Sequence, residues 1–169
     1  DRAVIYSEFC VFTTDPDNCT PIPLAEIEPA NFRHWLTVVN SLHGCTLLIP
    51  RSAFIETGLF DLNLRTTQDY DLWFRMGRLY NFTYVPDRLV KARSHENQGT
   101  VQMKDTVIAE CDALLTGFVH DLTEDEIVNA SGKTLADAYT DIAATMEARN
   151  FQDAYQYATK LSDLHAEGK

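Results

Sequence analysis

Two carboxylates one residue apart, Asp69 and Asp71, stand in the run Thr66-Thr67-Gln68-Asp69-Tyr70-Asp71-Leu72-Trp73-Phe74-Arg75, beside a tryptophan and an arginine. A carboxylate so placed can take a proton from a hydroxyl or bind a cation, and Asp71 with Arg75 makes a favourable i, i+4 pair. Ahead of the run lies Gly58-Leu59-Phe60-Asp61-Leu62-Asn63-Leu64-Arg65. Behind it, Arg93-Ser94-His95 offers a guanidinium for an anion and an imidazole able to ligate a metal. Asp15-Pro16-Asp17 repeats the D-x-D spelling in a proline-rich loop, but no hydrophobic strand ends on it, so it is a weak metal candidate.

These residues need elements to hold them. Residues 3–13 are dense in β-branched and aromatic side chains and predict an interior strand, and residues 45–49 a second, buried one. Residues 14–29 carry four prolines and read as an irregular connection. Apolar spacing predicts short helices over 31–42, 51–57 and 69–80, with Gly58 closing the middle one and Leu72, Trp73, Met76, Leu79 and Tyr80 forming the buried stripe of the last. Residues 82–85 and 89–92 predict two short strands around a Pro86-Asp87-Arg88 turn. From residue 101 onward the pattern is helical: a long stripe from Val107 to Val119, a capping box at Thr123–Glu126, then a helix pair capped by Thr134 and broken near Asn150.

Composition bounds the reading. The chain has 169 residues, 45% of them hydrophobic, enough for a real core in an α/β domain over residues 1–100 followed by an all-helical extension over 101–169. The net charge of −11 disfavours nucleic acid as a partner. It is uneven: residues 51–93 carry seven Lys and Arg against five acids, whereas residues 96–169 carry five against fourteen. No apolar run is long enough for a membrane span, and without a signal segment the expected location is cytoplasmic, peripheral at the inner face of the membrane. On that footing Cys10, Cys19, Cys45 and Cys111 are expected as reduced thiols, and the N-x-Ser/Thr triplets at Asn18, Asn81 and Asn129 as chance matches. The chain opens on Asp1, not Met, and reads as a piece of something longer.

Four blocks taken in order carry a resemblance: His43-Gly44-Cys45-Thr46-Leu47-Leu48-Ile49-Pro50-Arg51, Gly58-Leu59-Phe60-Asp61, Gln68-Asp69-Tyr70-Asp71-Leu72-Trp73-Phe74-Arg75, and Arg93-Ser94-His95. Over about residues 3–100 the chain resembles the acceptor-side half of family 2 glycosyltransferases of the GT-A fold, which run from a Gly-containing strand through "G-x-F-D" and "E-D-x-D-L-W-x-R" to "R-x-H". The resemblance implies a partial GT-A-like, Rossmann-like mixed sheet, lacking the nucleotide-binding half. It implies transfer, with inversion, from a nucleotide-sugar donor to a saccharide or lipid-linked acceptor in cell-envelope polysaccharide synthesis. Asp69 is then the base, with an N-terminal helix dipole to keep it ionised. Phe60, Asp61, Gln68, Asp71 and Arg93 contact acceptor or donor, and His95 ligates a divalent Mn²⁺ or Mg²⁺ expected only with the missing half. Gln68 departs from the family's usual Glu. By itself this chain is expected to be inactive. The competing expectation is a non-catalytic module whose acidic helical tail docks a partner through an exposed Ala138, Tyr139 and Tyr155 face.

Overall fold

The computed structural model describes residues 2–39 and 41–167. Strand β1 (Ala3–Phe12) is the centre of a four-stranded mixed sheet. It buries Val4 and Tyr6 in alternation, and Phe9 beyond the break in the pattern at Ser7. On one side it pairs antiparallel with β2 (Thr20–Ile22), through Phe9–Val11, and with β3 (Leu47–Leu48), through Ile5 and Tyr6. On the other it runs parallel to β4 (Asn81–Arg93) along its whole length.

Two strand expectations change here. Residues 82–92 are not a pair of strands but one, because the register shifts between Ser7 and Phe9 so that Val85 and Arg88 face neighbouring residues of β1. Pro86 and Asp87 are thereby left out of the ladder, a bulge where proline's missing N–H leaves no donor unpaired. The second strand is only two residues long and lies at the sheet's edge, with Leu48 exposed instead of buried.

Between β1 and β4 the chain forms α1 (Phe32–Val38), α2 (Arg51–Thr57) and α3 (Gln68–Met76). Gly58 closes α2 at φ +86, a conformation glycine adopts without strain. Beyond β4 come α4 (Gly99–Gln102), α5 (Lys104–Asp121), α6 (Glu124–Ser131), α7 (Leu135–Ala148) and α8 (Gln152–Glu167). The Thr123–Glu126 capping box and the Thr134 cap form as expected. The expected α/β class, with a helical C-terminal part, is therefore what the chain adopts.

One hydrophobic cluster joins sheet and helices. Phe32 stacks on Phe82 at 3.7 Å, and Phe74 stacks on Phe118 of α5 at the same spacing. Leu79, expected in the stripe of α3, is 41% exposed, and Phe74 is buried there instead. Arg33 of α1, 4% exposed, lies 4.1 Å over Phe74 and donates to both carboxylate oxygens of Glu126 in α6 at 2.8 Å. The Ala138, Tyr139 and Tyr155 face is not an exposed patch, because Ala138 and Tyr139 are buried and Tyr155 packs against the same cluster.

Cys10 and Cys19 form a disulfide, with Cα atoms 5.6 Å apart, so the expectation of four reduced thiols fails for this pair. The antiparallel pairing of β1 with β2 brings the two residues to bridging distance, a placement that linear spacing does not reveal. Cys45 and Cys111 are free.

Candidate functional site

The site starts from α3. Thr67 is the residue before its first turn, Gln68 and Asp69 follow, and Asp69 accepts a hydrogen bond from the Tyr70 N–H at 2.8 Å. Gly44 lies directly against this carboxylate: a Cβ there would sit 3.3 Å from Asp69 Oδ2 and 3.5 Å from Trp73 Cζ2. The glycine thus allows backbone, carboxylate and indole to close together. That packing takes Asp69 partly out of water, and burial pushes its pKa up, against the opposing pull of the N–H groups of Tyr70 and Asp69 and of His43. Desolvation outweighs these donors and the His43 charge, which moves the group towards the range where a base works.

The loop before α3 is held in shape by charge. Arg75 bonds to Asp71 at 2.7 and 3.0 Å, and its guanidinium also donates to the carbonyls of Leu59, at 2.9 Å, and Thr57. Asp71 therefore sits in an ion pair that anchors the Gly58 loop. Asp61 Oδ1 accepts from the backbone and side-chain N–H groups of Asn63, both at 2.9 Å, and so shapes the next turn. From the far side, Glu110 of α5 accepts from the N–H groups of Arg65 and Thr66 and from the hydroxyls of Thr66 and Thr67, at 2.7–3.2 Å. Burial pushes Glu110 up, but these donors outweigh it and hold the carboxyl at about 2.

Two hollows result. One, of about 410 Å³, is lined by Phe60, Asp61, Leu62, Leu64, Gln68 and Asp69. The other, of about 480 Å³, is lined by Arg65, Thr66, Gln68, His95, Asn97, Gln98, Gly99, Thr100 and Met103. Gln68 belongs to both, and its buried Oε1 has no hydrogen-bond partner. Phe60 is 45% exposed and its neighbour Leu62 95%, so the rim of the first hollow presents apolar surface beside a carboxylate.

The chain's chemistry-bearing residues are thus gathered unequally. Phe60, Asp61, Gln68 and Asp69 come together, and His95 joins them through Gln68. Arg93 does not line either hollow; it reaches the Thr13 carbonyl at 3.4 Å. Among the described residues no three His, Cys, Asp or Glu side chains cluster as a cation site. Around His95 the remaining lining is amide, hydroxyl, Gly99, the Met103 thioether and the Arg65 cation, so the imidazole stands there with no carboxylate beside it. Asp15 and Asp17 are exposed, with Asp17 paired to Lys91. Three residues at the site escaped sequence reasoning: Glu110, His43 and Gly44 as a packing partner of Asp69. His43 and Gly44 were visible as the end of the predicted helix over 31–42 and as members of a strand block, with no role at the site, and Glu110, on the helix of another region, carried no local signal.

No family model matches the chain, and no solved structure matches it. Curated proteins do. Over 122 residues it is 37% identical to an uncharacterized glycosyltransferase of Rickettsia typhi, covering 72% of this chain and 38% of that protein. Over 152 residues it is 33% identical to an uncharacterized glycosyltransferase of Rickettsia bellii, covering 90% of this chain and 20% of that protein. A Rickettsia prowazekii protein of the same description is 36% identical over 122 residues, again 72% of this chain and 38% of the relative. The chain spans well under half the length of these relatives.

Proposed function

We propose that this chain forms the acceptor side of a glycosyltransferase of family 2 and GT-A type, in which Asp69 is the general base for transfer from a nucleotide sugar to a saccharide or lipid-linked acceptor. The observation that carries this reading is Asp69 itself: a partly buried carboxylate with a raised pKa, opening on a hollow beside Phe60 and Asp61. In the reaction an acceptor hydroxyl in that hollow gives its proton to Asp69 as its oxygen attacks the anomeric carbon from the face opposite the leaving diphosphate, which inverts the centre. Phe60 offers an aromatic face to the sugar, and Gln68, standing between the hollows, meets donor and acceptor where they join.

His95 marks the donor side, and a divalent Mn²⁺ or Mg²⁺ expected there remains part of the proposal, with His95 as its single ligand from this chain. Arg93 as a phosphate contact belongs to the proposal on its sequence position alone. The relatives' greater length favours a partner region for the donor, so the isolated chain is expected to bind nucleotide sugar weakly. No helix among the described residues is long and apolar enough to cross a membrane. The proposed cytoplasmic setting has Cys10–Cys19 against it, since that compartment keeps thiols reduced.

The test is the titration of Asp69. Carbon-13 carboxyl shifts followed against pH in this chain should give a midpoint above the ordinary value of about 3.9, and acceptor saccharide should move the resonance. A midpoint at or below that value, with no response to any acceptor, removes the base assignment.

A further inference from the structure

The geometry assigns Glu110 as a positioning residue for the Asp69 site: from α5 it holds the Arg65–Thr67 loop in the arrangement from which α3, and with it Gln68 and Asp69, begins. Its catalytic meaning rests on the reading of Asp69 given above, whereas its geometric content does not. A single carboxylate here takes four donors from three successive residues, at 2.7–3.2 Å, across 43 to 45 positions of sequence. Thr67 shows what this imposes. It stands at the N-cap of α3, where a threonine hydroxyl ordinarily accepts from the helix's own first turn. In this structure it makes no such cap, and the hydroxyl instead donates to Glu110.

Thr67 is also buried, so the start of α3 is fixed from below by packing and from the side by Glu110. The next residue on α5, Cys111, brings the two acids into one neighbourhood. Burial raises its thiol pKa first of all, and the negative charges of both Glu110 and Asp69 raise it further against Arg149. One turn of α5 thus organises two places, for Asp112 accepts from the Asp153 and Ala154 N–H groups and caps α8. The helical C-terminal part is, in this account, built into the site and not merely appended to it.

The test uses Glu110→Gln, which keeps one carbonyl acceptor, and Glu110→Ala, which keeps none, with Thr134→Ala as a control that weakens α7 far from the site. In this chain the Asp69 carboxyl titration and hydrogen exchange at the Arg65 and Thr66 amides are measured for each. Both Glu110 variants should shift the Asp69 midpoint towards the ordinary carboxylate value and speed exchange at the two amides, alanine more than glutamine. Thr134→Ala should change neither. An unchanged Asp69 midpoint in folded Glu110 variants, or an equal shift in Thr134→Ala, overturns the assignment, as does global unfolding of both Glu110 variants. Where transfer is assayed in a protein of the relatives' length that carries this chain, kcat should fall roughly 10- to 100-fold with little change in donor KM. A shifted midpoint without loss of turnover would leave the positioning intact and count against Asp69 as the base.

Discussion

Glu126→Gln perturbs the interaction that ties α1, α3 and α6 together, along with the bonds that Glu126 accepts from Thr123 in the capping box of α6. Arg33 is 4% exposed and is neutralised by Glu126 at 2.8 Å, with the Asp121 carbonyl at 3.1 Å and the Phe74 ring at 4.1 Å as further partners. Removing one member of a fully buried pair costs about 3–5 kcal/mol, because the other charge stays desolvated. Three features lower that figure here: the Glu126 side chain is 21% exposed, glutamine retains one acceptor, and the carbonyl and ring remain. The expected loss is about 2–3 kcal/mol, or a fall in Tm of roughly 4–12 °C for a domain of this size. Circular dichroism during thermal unfolding measures it. The double variant Arg33→Met, Glu126→Gln should recover most of the loss, since a methionine leaves no stranded charge on Phe74. A loss under about 0.5 kcal/mol, or a double variant as unstable as the two singles combined, would refute the argument that a stranded buried charge is what matters.

Gly77→Ala should destabilise by about 1–3 kcal/mol, because its Cβ would fall 2.9 Å from both Phe32 Cδ1 and Arg33 Cγ, atoms with little room to retreat; chemical denaturation gives the value. Glu110, held at about 2, contributes stability that is fully present above its unfolded pKa near 4.5 and is lost as pH falls from there towards 2. Acid unfolding of the parent should therefore steepen in that window, and Glu110→Gln should flatten it. Cys10→Ser should lower stability by about 2–3 kcal/mol through the loop that the disulfide closes, and a reducing agent should have the same effect on the parent and none on the variant.

Much of the local structure was legible because it depends on neighbours in sequence. The Thr123 capping box, the Thr134 cap and the Gly58 stop are set by residues within a turn of one another, and each forms where expected. The failures involve distant partners. Pro86-Asp87-Arg88 has turn chemistry, but β1 offers a parallel edge on both sides of it, and pairing along that edge turns a hairpin into a bulge. Leu47–Leu48 has a buried strand's composition, yet it lands at a sheet edge.

The site divides in the same way. Phe60, Asp61, Gln68 and Asp69 lie within ten residues and line one hollow, whereas Arg93 lies elsewhere. The upward shift of Asp69 had no signal in the sequence, since burial against Gly44 and Trp73 is a tertiary fact. Glu110 was invisible for the same reason, since nothing around it in sequence announces its contact with Thr66.

The central claim is that Asp69 is the base of a sugar-transfer site. It is tested most directly by nucleotide-sugar turnover in a protein of the relatives' length that carries this chain, comparing parent with Asp69→Asn at equal folded fraction. Loss of a positioned general base predicts a fall in kcat of about 10²- to 10⁴-fold, with acceptor and donor binding largely kept. Turnover near the parental rate would contradict it.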